Sequence, residues 1–162
     1  MSQGPRIALF QPDIPGNTGT ILRLGSCLGL GIDIIGPAGF DLSDRALKRA
    51  GMDYLESAAL TRHDDWSAFV TCRSNDRHRL VLFSTRATLA YTRFEYRPSD
   101  ILLFGRESSG VPDFVHAAAD AAVTIPMPGG GRSLNLAISV AMAVGEVMRQ
   151  LNGPAARPGE TE

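Results

Sequence analysis

Two short runs, LVLFS (Leu80–Ser84) and ILLFG (Ile101–Gly105), are apolar without interruption and bounded by polar residues. A strand with one wet face alternates apolar and polar side chains. A strand apolar on both faces has to be covered on both. RIALF (Arg6–Phe10), IDIIG (Ile32–Gly36) and Ala122–Pro126 read as further strands, and Ala58–Leu60 as a short one. Helix-like stretches lie between them. One is Asn17–Leu30, ended by Gly31; a short helix through Arg49 follows, with Ser43 as its N-cap; another runs through Val70 and beyond, capped by Asp64 or Asp65. Ser133–Leu151 is the longest. This order predicts an α/β protein with a mostly parallel sheet and helices on both faces. Its length of 162 residues fits one domain, assigned to residues 1–152, with a polar, Pro/Gly-rich tail over 153–162 that is expected to fray.

Composition removes several classes of function. With 44% hydrophobic and 20% charged residues the chain is neither disordered nor a membrane protein, and no apolar run reaches the roughly 20 residues of a membrane span. The N-terminus has no signal-peptide pattern, which predicts a cytoplasmic protein. Cys27 and Cys72 form no CxxC pair, and His63, His78 and His116 are scattered, so no metal site is expected. A net charge of −1 excludes a globally basic nucleic-acid binder. Of the 16 basic residues only Lys48 is a lysine, leaving 15 arginines. Arginine suits phosphate and stacked-base contacts, so a local arginine surface stays open.

Chemistry in a parallel α/β sheet collects outside the carboxyl ends of the strands. Three such ends are rich in glycine and polar residues: QPDIPGNTGTILR after the first strand, GRESSGVP after ILLF, and PMPGGGRSLN after AVTI. None matches a common phosphate or nucleophile motif. A Walker A loop ending at Ser133 would need lysine where Arg132 stands and glycine where Pro126 stands. No GxGxxG opens a helix after the first strand. GRESSGV only approximates a nucleophile elbow, because Gly105 and Gly110 are one residue too far apart.

PGNTGTILRLGSCLG, LLFGRESSGVP and IPMPGGGRSLNLAISVA resemble, in order and spacing, the three motifs of the SPOUT class of RNA methyltransferases, in its ribose 2'-O-methylating branch. LKRAGMDYLESAALTRHDDWSAF (Leu47–Phe69) makes the chain similar to the small tRNA (cytidine/uridine-34-2'-O)-methyltransferases. The resemblance covers about residues 6–151 and implies an α/β fold with a C-terminal deep trefoil knot, bound S-adenosylmethionine, no metal and a homodimer. It implies methylation of the wobble ribose in the anticodon stem-loop of tRNA, in leucine isoacceptors. By this resemblance the cofactor's adenosine lies against Phe83, Gly105, Ile125, Ser133 and Leu134. Asn17, Arg23, Glu107, Ser133 and Asn135 match the residues around the reacting centre.

A ribose hydroxyl is a poor nucleophile and must lose its proton during transfer. The family's proposed catalytic residue is Arg23. A guanidinium is too weak an acid to serve easily as a base. Arg23 is better read as binding the neighbouring phosphate and stabilising the developing alkoxide. Glu107 is expected to orient loop amides or Asn17, and Ser133 and Asn135 to cap the last helix as well as serve the site. Gly105 lacks a Cβ, which would let backbone approach a flat base closely. Arg45, Lys48, Arg49, Arg86 and Arg132 are candidates for tRNA phosphates. Gly145 departs from the tyrosine of similar sequences, which bears on base preference. Residues 133–148 hold four clearly polar side chains, Ser133, Asn135, Ser139 and Glu146, so this helix should be buried on two sides, one of them against a second subunit. Other readings are methylation of another tRNA position or of rRNA, whose enzymes usually carry a further RNA-binding domain, and a nucleotide-binding regulatory module of flavodoxin-like shape.

Overall fold

The structure is a computed structural model describing residues 4–49 and 59–152. Six strands form one sheet: β1 (Arg6–Phe10), β2 (Gly31–Ile35), β3 (Leu60–His63), β4 (Arg79–Phe83), β5 (Asp100–Phe104) and β6 (Ala121–Val123). Their order is β3-β2-β1-β5-β4-β6, and every neighbouring pair is parallel. The chain builds outward from β1 to β3, crosses to β4, and comes back to place β5 beside β1. The order therefore reverses between β1 and β5, and a cleft opens outside the carboxyl ends at such a point.

Helices cover both faces, as continuous apolar strands require. On one face Ile7, Leu9, Ile32, Ile34, Leu102 and Phe104 pack against α1 (Pro15–Leu28) and α5 (Leu136–Asn152). α2 (Asp44–Arg49) adds Leu47 to this cluster. On the other face Ala8, Phe10, Leu80, Leu82 and Leu103 pack against Phe69 of α3 (Trp66–Asp76) and Val115 of α4 (Asp113–Ala118). Every residue of β2 and β5 is buried.

The helix boundaries have local causes. α1 starts at Pro15, not Asn17, because proline is favoured in the first turn, where its missing N–H is no loss. It ends at Gly29, which takes the left-handed conformation (φ 67°) and donates its N–H back to Gly25; Gly31 already belongs to β2. Ser43 and Asp65 cap α2 and α3 as expected, accepting from Ala46 and Ala68 at 3.2 and 2.8 Å. β3 begins at Leu60, and Ala58 lies outside the described residues, as do 50–57 of the Leu47–Phe69 stretch and the tail from 153. α5 starts three residues later than Ser133. Its cap is Asn135, whose Oδ1 accepts the N–H groups of Ala137 and Ile138 at 2.9 and 3.3 Å. Ser133 stays in the loop before it and caps nothing.

Charged residues enter the strands only in pairs. Asp100 is fully buried at the start of β5 and accepts from Arg79 Nε and Nη2, both at 2.8 Å, and from the Arg97 amide. Asp33, in the middle of β2, accepts Arg6 Nε at 2.7 Å and His63 Nε2 at 2.8 Å. Gln150 of α5 donates to the Phe94 carbonyl and accepts the Tyr96 amide, fastening α5 to the β4–β5 connection.

Candidate functional site

The three glycine-rich loops converge at the β1–β5 reversal and enclose a cavity of about 570 Å³. Its wall is made by the ends of β4 and β5, the loops that follow β5 and β6, and the first turns of α1 and α5. Phe83 and Phe104 form the floor where these strands end, with rings stacked at 4.8 Å. Offset pairs of this kind contribute about 0.5–1.5 kcal/mol beyond burial.

A polar relay ties the loops together. The Glu107 carboxylate accepts the backbone N–H of Asp13 at 2.8 Å and of Ile14 at 3.3 Å, just ahead of α1. Ile14 has no side-chain cap of its own, so Glu107, 93 residues away, places a negative charge at the positive end of the α1 dipole. Glu107 Oε1 also accepts Asn17 Nδ2 at 3.4 Å, and Asn17 Oδ1 accepts Asn135 Nδ2 at 3.0 Å. Asn135 then caps α5. Each amide has its donor and acceptor end fixed by its neighbour, which sets the orientation of both.

Beside the relay, Asp13 holds the β5 loop. Arg106 Nη2 donates to Asp13 Oδ1 at 2.6 Å, and Ser108 Oγ to Oδ2 at 2.6 Å. These bonds lower the Asp13 carboxyl to about 2, the Arg106 bond being the largest cause. Arg106 is correspondingly raised, first by the same bond. Arg106 Nη1 also reaches Gln11 Oε1, and Gln11 leaves β1 with φ 45°, a conformation that non-glycine residues seldom adopt.

Asn17, Phe83, Gly105, Glu107, Ile125, Ser133, Leu134 and Asn135 all line this one cavity. Arg23 does not. It is exposed on α1, and six helical steps from Asn17 leave the two side chains about 120° apart around the axis. Gly105 also has a reason within the loop itself. A Cβ there would lie 2.5 Å from the Gly110 carbonyl carbon, so the space is taken by the loop's own turn, closed by the paired Arg106 and Gly110 amides and carbonyls. Of the glycines in PGGG only Gly130 is left-handed (φ 80°). Arg86 lines the cavity mouth and pairs with Asp113 at 2.8 Å, whereas Arg45, Lys48 and Arg49 sit on α2 away from it. Asp13, Arg106, Ser108 and His116 belong to the site and escaped sequence reasoning. Asp13 stands in the quoted QPDIPGN loop, but its partners are more than 90 residues on.

Residues 4–145 match the SpoU rRNA Methylase family, and the chain belongs to that family. It is 56% identical over 145 residues to a tRNA (cytidine(34)-2'-O)-methyltransferase of Beijerinckia indica, covering 90% of this chain and 91% of the relative. A solved structure described as giving insights into 2-OH methylation of C/U34 on tRNA is 41% identical, with a TM-score of 0.85 over 93% of this chain and 97% of the other. The SpoU methyltransferase AviRb of Streptomyces viridochromogenes, solved in complex with the cofactor AdoMet, is 26% identical with a TM-score of 0.82, over 93% of this chain and 61% of the other. The family match decides for an enzyme, a methyltransferase, and against the flavodoxin-like regulatory module.

Proposed function

We propose that this chain transfers a methyl group from S-adenosylmethionine to the ribose 2'-hydroxyl of the wobble nucleotide of tRNA, position 34, a cytidine or a modified uridine. The observation that carries the reading is the Glu107–Asn17–Asn135 relay, which fastens three loops around one cavity in a chain so similar to an enzyme of that activity. At about 570 Å³ the cavity falls in the range of small-molecule sites, roughly 300–1,000 Å³.

S-adenosylmethionine supplies a methyl group already activated by the positive sulfonium, so the reading needs no metal. Phe83, Gly105, Ile125, Ser133 and Leu134 would hold its adenosine. Asn17, Glu107 and Asn135 would fix the loops at the reacting end, where placement of the two partners carries much of the acceleration. Arg23 serves the RNA side. As a permanent cation it binds a phosphate beside the target nucleotide and stabilises the alkoxide as the hydroxyl loses its proton. Arg86 and Arg132 extend the phosphate contacts.

The reading includes a homodimer, a knot and a cytoplasmic location with the tRNA. Ile138 and Met142 are 54% and 38% exposed on the outer face of α5, with Ile14 and Leu134 nearby in sequence to the same two helix starts. That apolar surface supports a second subunit there. The knot is supported by the path of the chain: it leaves β6 at the sheet edge, returns to pack α5 on α1, and is fastened by Gln150 to the earlier β4–β5 connection. Nucleoside mapping by mass spectrometry of tRNA from cells lacking the protein, leucine isoacceptors first, tests the activity. Loss of a 2'-O-methyl nucleoside at position 34 is expected. Its unchanged presence there, with loss elsewhere in tRNA or in rRNA, sinks the position assignment.

A further inference from the structure

Two acids stand where the loop after β1 meets the loop after β5, and each is held by the other loop. The Asp13 carboxylate takes four donors. Arg106 Nε and Nη2 reach Oδ1 at 3.2 and 2.6 Å, and the Ser108 amide and Oγ reach Oδ2 at 3.2 and 2.6 Å. Glu107, between those two residues, takes the Asp13 and Ile14 amides and Asn17 Nδ2. The clasp is therefore reciprocal. A carboxylate has acceptor sites for four donors, and an amide in its place would turn an N–H toward one of them.

The two sides of the clasp are not equally fixed. The Asp13 segment is tied to the scaffold through its backbone. The Gln11 amide donates to the Ile35 carbonyl at the end of β2, at 2.8 Å, and the Pro12 carbonyl accepts the Gly39 amide at 2.9 Å. The turn after β5 has backbone-to-backbone bonds only between Arg106 and Gly110 among the described residues, which set its shape and not its distance from α1. Side chains set that distance. Glu107 is the one whose oxygens feed the relay to Asn17 and Asn135, and Asp13 grips the residues on either side of it. Arg106, Glu107 and Ser108 line the cavity, and Asp13 stands behind that wall.

We propose that Asp13 is a positioning residue for methyl transfer, acting through Glu107 and not on a ligand. With the Asp13 carboxylate in place, Glu107 presents one oxygen to the Asp13 amide and the other to Ile14 and Asn17, and both asparagine amides take their orientation at the reacting end. Without it the turn keeps its shape but shifts against α1, and a shift of about 1 Å at a reacting centre costs about a hundredfold in rate. This rests on the methyl-transfer reading above and adds to it a residue with no place in the cavity wall.

Steady-state methyl transfer to tRNA by the full chain, well below its unfolding midpoint, tests this beside calorimetry with S-adenosylhomocysteine. Asp13→Asn is expected to lower kcat about tenfold or more, with KM for S-adenosylmethionine and affinity for S-adenosylhomocysteine changed by less than about threefold. Asp13→Glu, which keeps both oxygens and the charge, is expected to recover part of the loss. Arg106→Ala is expected to lower kcat in the same way, and the double variant to fall no further than the slower single one, because both remove one clasp. A purely structural role would lower the melting temperature and leave kcat unmoved at the assay temperature. Asp13→Asn with kcat within about twofold of wild type overturns the inference. So does a loss of S-adenosylhomocysteine affinity as large as the loss of kcat, which would make Asp13 part of the cofactor site. Losses that multiply in the double variant overturn it too. Wild-type protein that binds S-adenosylhomocysteine but transfers no methyl group to tRNA position 34 overturns the substrate reading itself, a result distinct from these. Should Asp13→Asn fail to fold, Ser108→Ala and Arg106→Lys test the same clasp with smaller falls in kcat, and no fall in either overturns the inference.

Discussion

The two ends of the sheet solve the problem of buried polarity in opposite ways. Toward the amino end, charges sit inside strands and meet partners on adjacent strands: Arg79 faces Asp100 in register, and Arg6 reaches Asp33 in the middle of β2. At the carboxyl ends that border the cavity, β4, β5 and β6 carry no charge, and the polar groups lie in loops that meet across 90 to 118 residues. The first arrangement fixes the register of the sheet. The second fixes the mutual position of loops that the sheet alone leaves undetermined. Disturbing the first should therefore cost stability, and disturbing the second should cost activity.

The sharpest test of that division is Asp100→Ala. It leaves Arg79 facing a fully buried gap, and removing one partner of such a pair costs about 3–5 kcal/mol. Urea unfolding should show the loss, while the folded fraction still binds S-adenosylhomocysteine. Arg23→Ala is the counterpart for activity. Methyl transfer should fall about a hundredfold or more, the scale for losing a group that stabilises developing charge, with unfolding midpoint and cofactor affinity nearly unchanged. Turnover within tenfold of wild type would remove Arg23 from the mechanism.

Smaller effects probe the loops. Gly130→Ala forces a side chain into a left-handed conformation and should cost about 1–2 kcal/mol, whereas Gly129→Ala meets open space and should be near neutral. Equal melting temperatures for the two would contradict the assigned backbone. The smallest effect concerns acid. Asp13 and Glu146 are both lowered to about 2, chiefly by Arg106 and Arg149. Their contribution is present in full above the unfolded values near 4 and is lost as pH falls toward 2. Asp13→Asn should lower stability at neutral pH and flatten the acid limb of the stability profile between those limits.

The sheet was legible because its signal is local. RIALF was read with its observed bounds, and LVLFS and ILLFG were displaced by one residue, since continuous apolar runs mark buried strands whatever surrounds them. The start of α5 was misplaced because serine and asparagine are both good caps, and only the geometry of the Asn17 contact selects Asn135. The three loops of the cavity were legible from their place after strands and their glycine content, and the individual wall residues through motif resemblance. No periodicity connects Asn17 to Asn135 or Glu107 to the start of α1. Asp13 and His116 were missed for the same reason: their role depends on partners or walls supplied by distant segments. Gly105 was singled out for close approach to a base, and the structure adds a requirement that no local pattern signalled, since its missing Cβ makes room for Gly110.

Asn135, which closes the relay, is among the last residues of the fold to be made. Ribosomal synthesis delivers β1, with Asp13 and Asn17 just behind it, well over a hundred residues earlier. Until α5 arrives, Asn17 Oδ1 lacks the donor that orients it, and the cavity lacks one wall. A chain that has completed its sixth strand still has no working site. The relay thus makes competence for methyl transfer wait for α5.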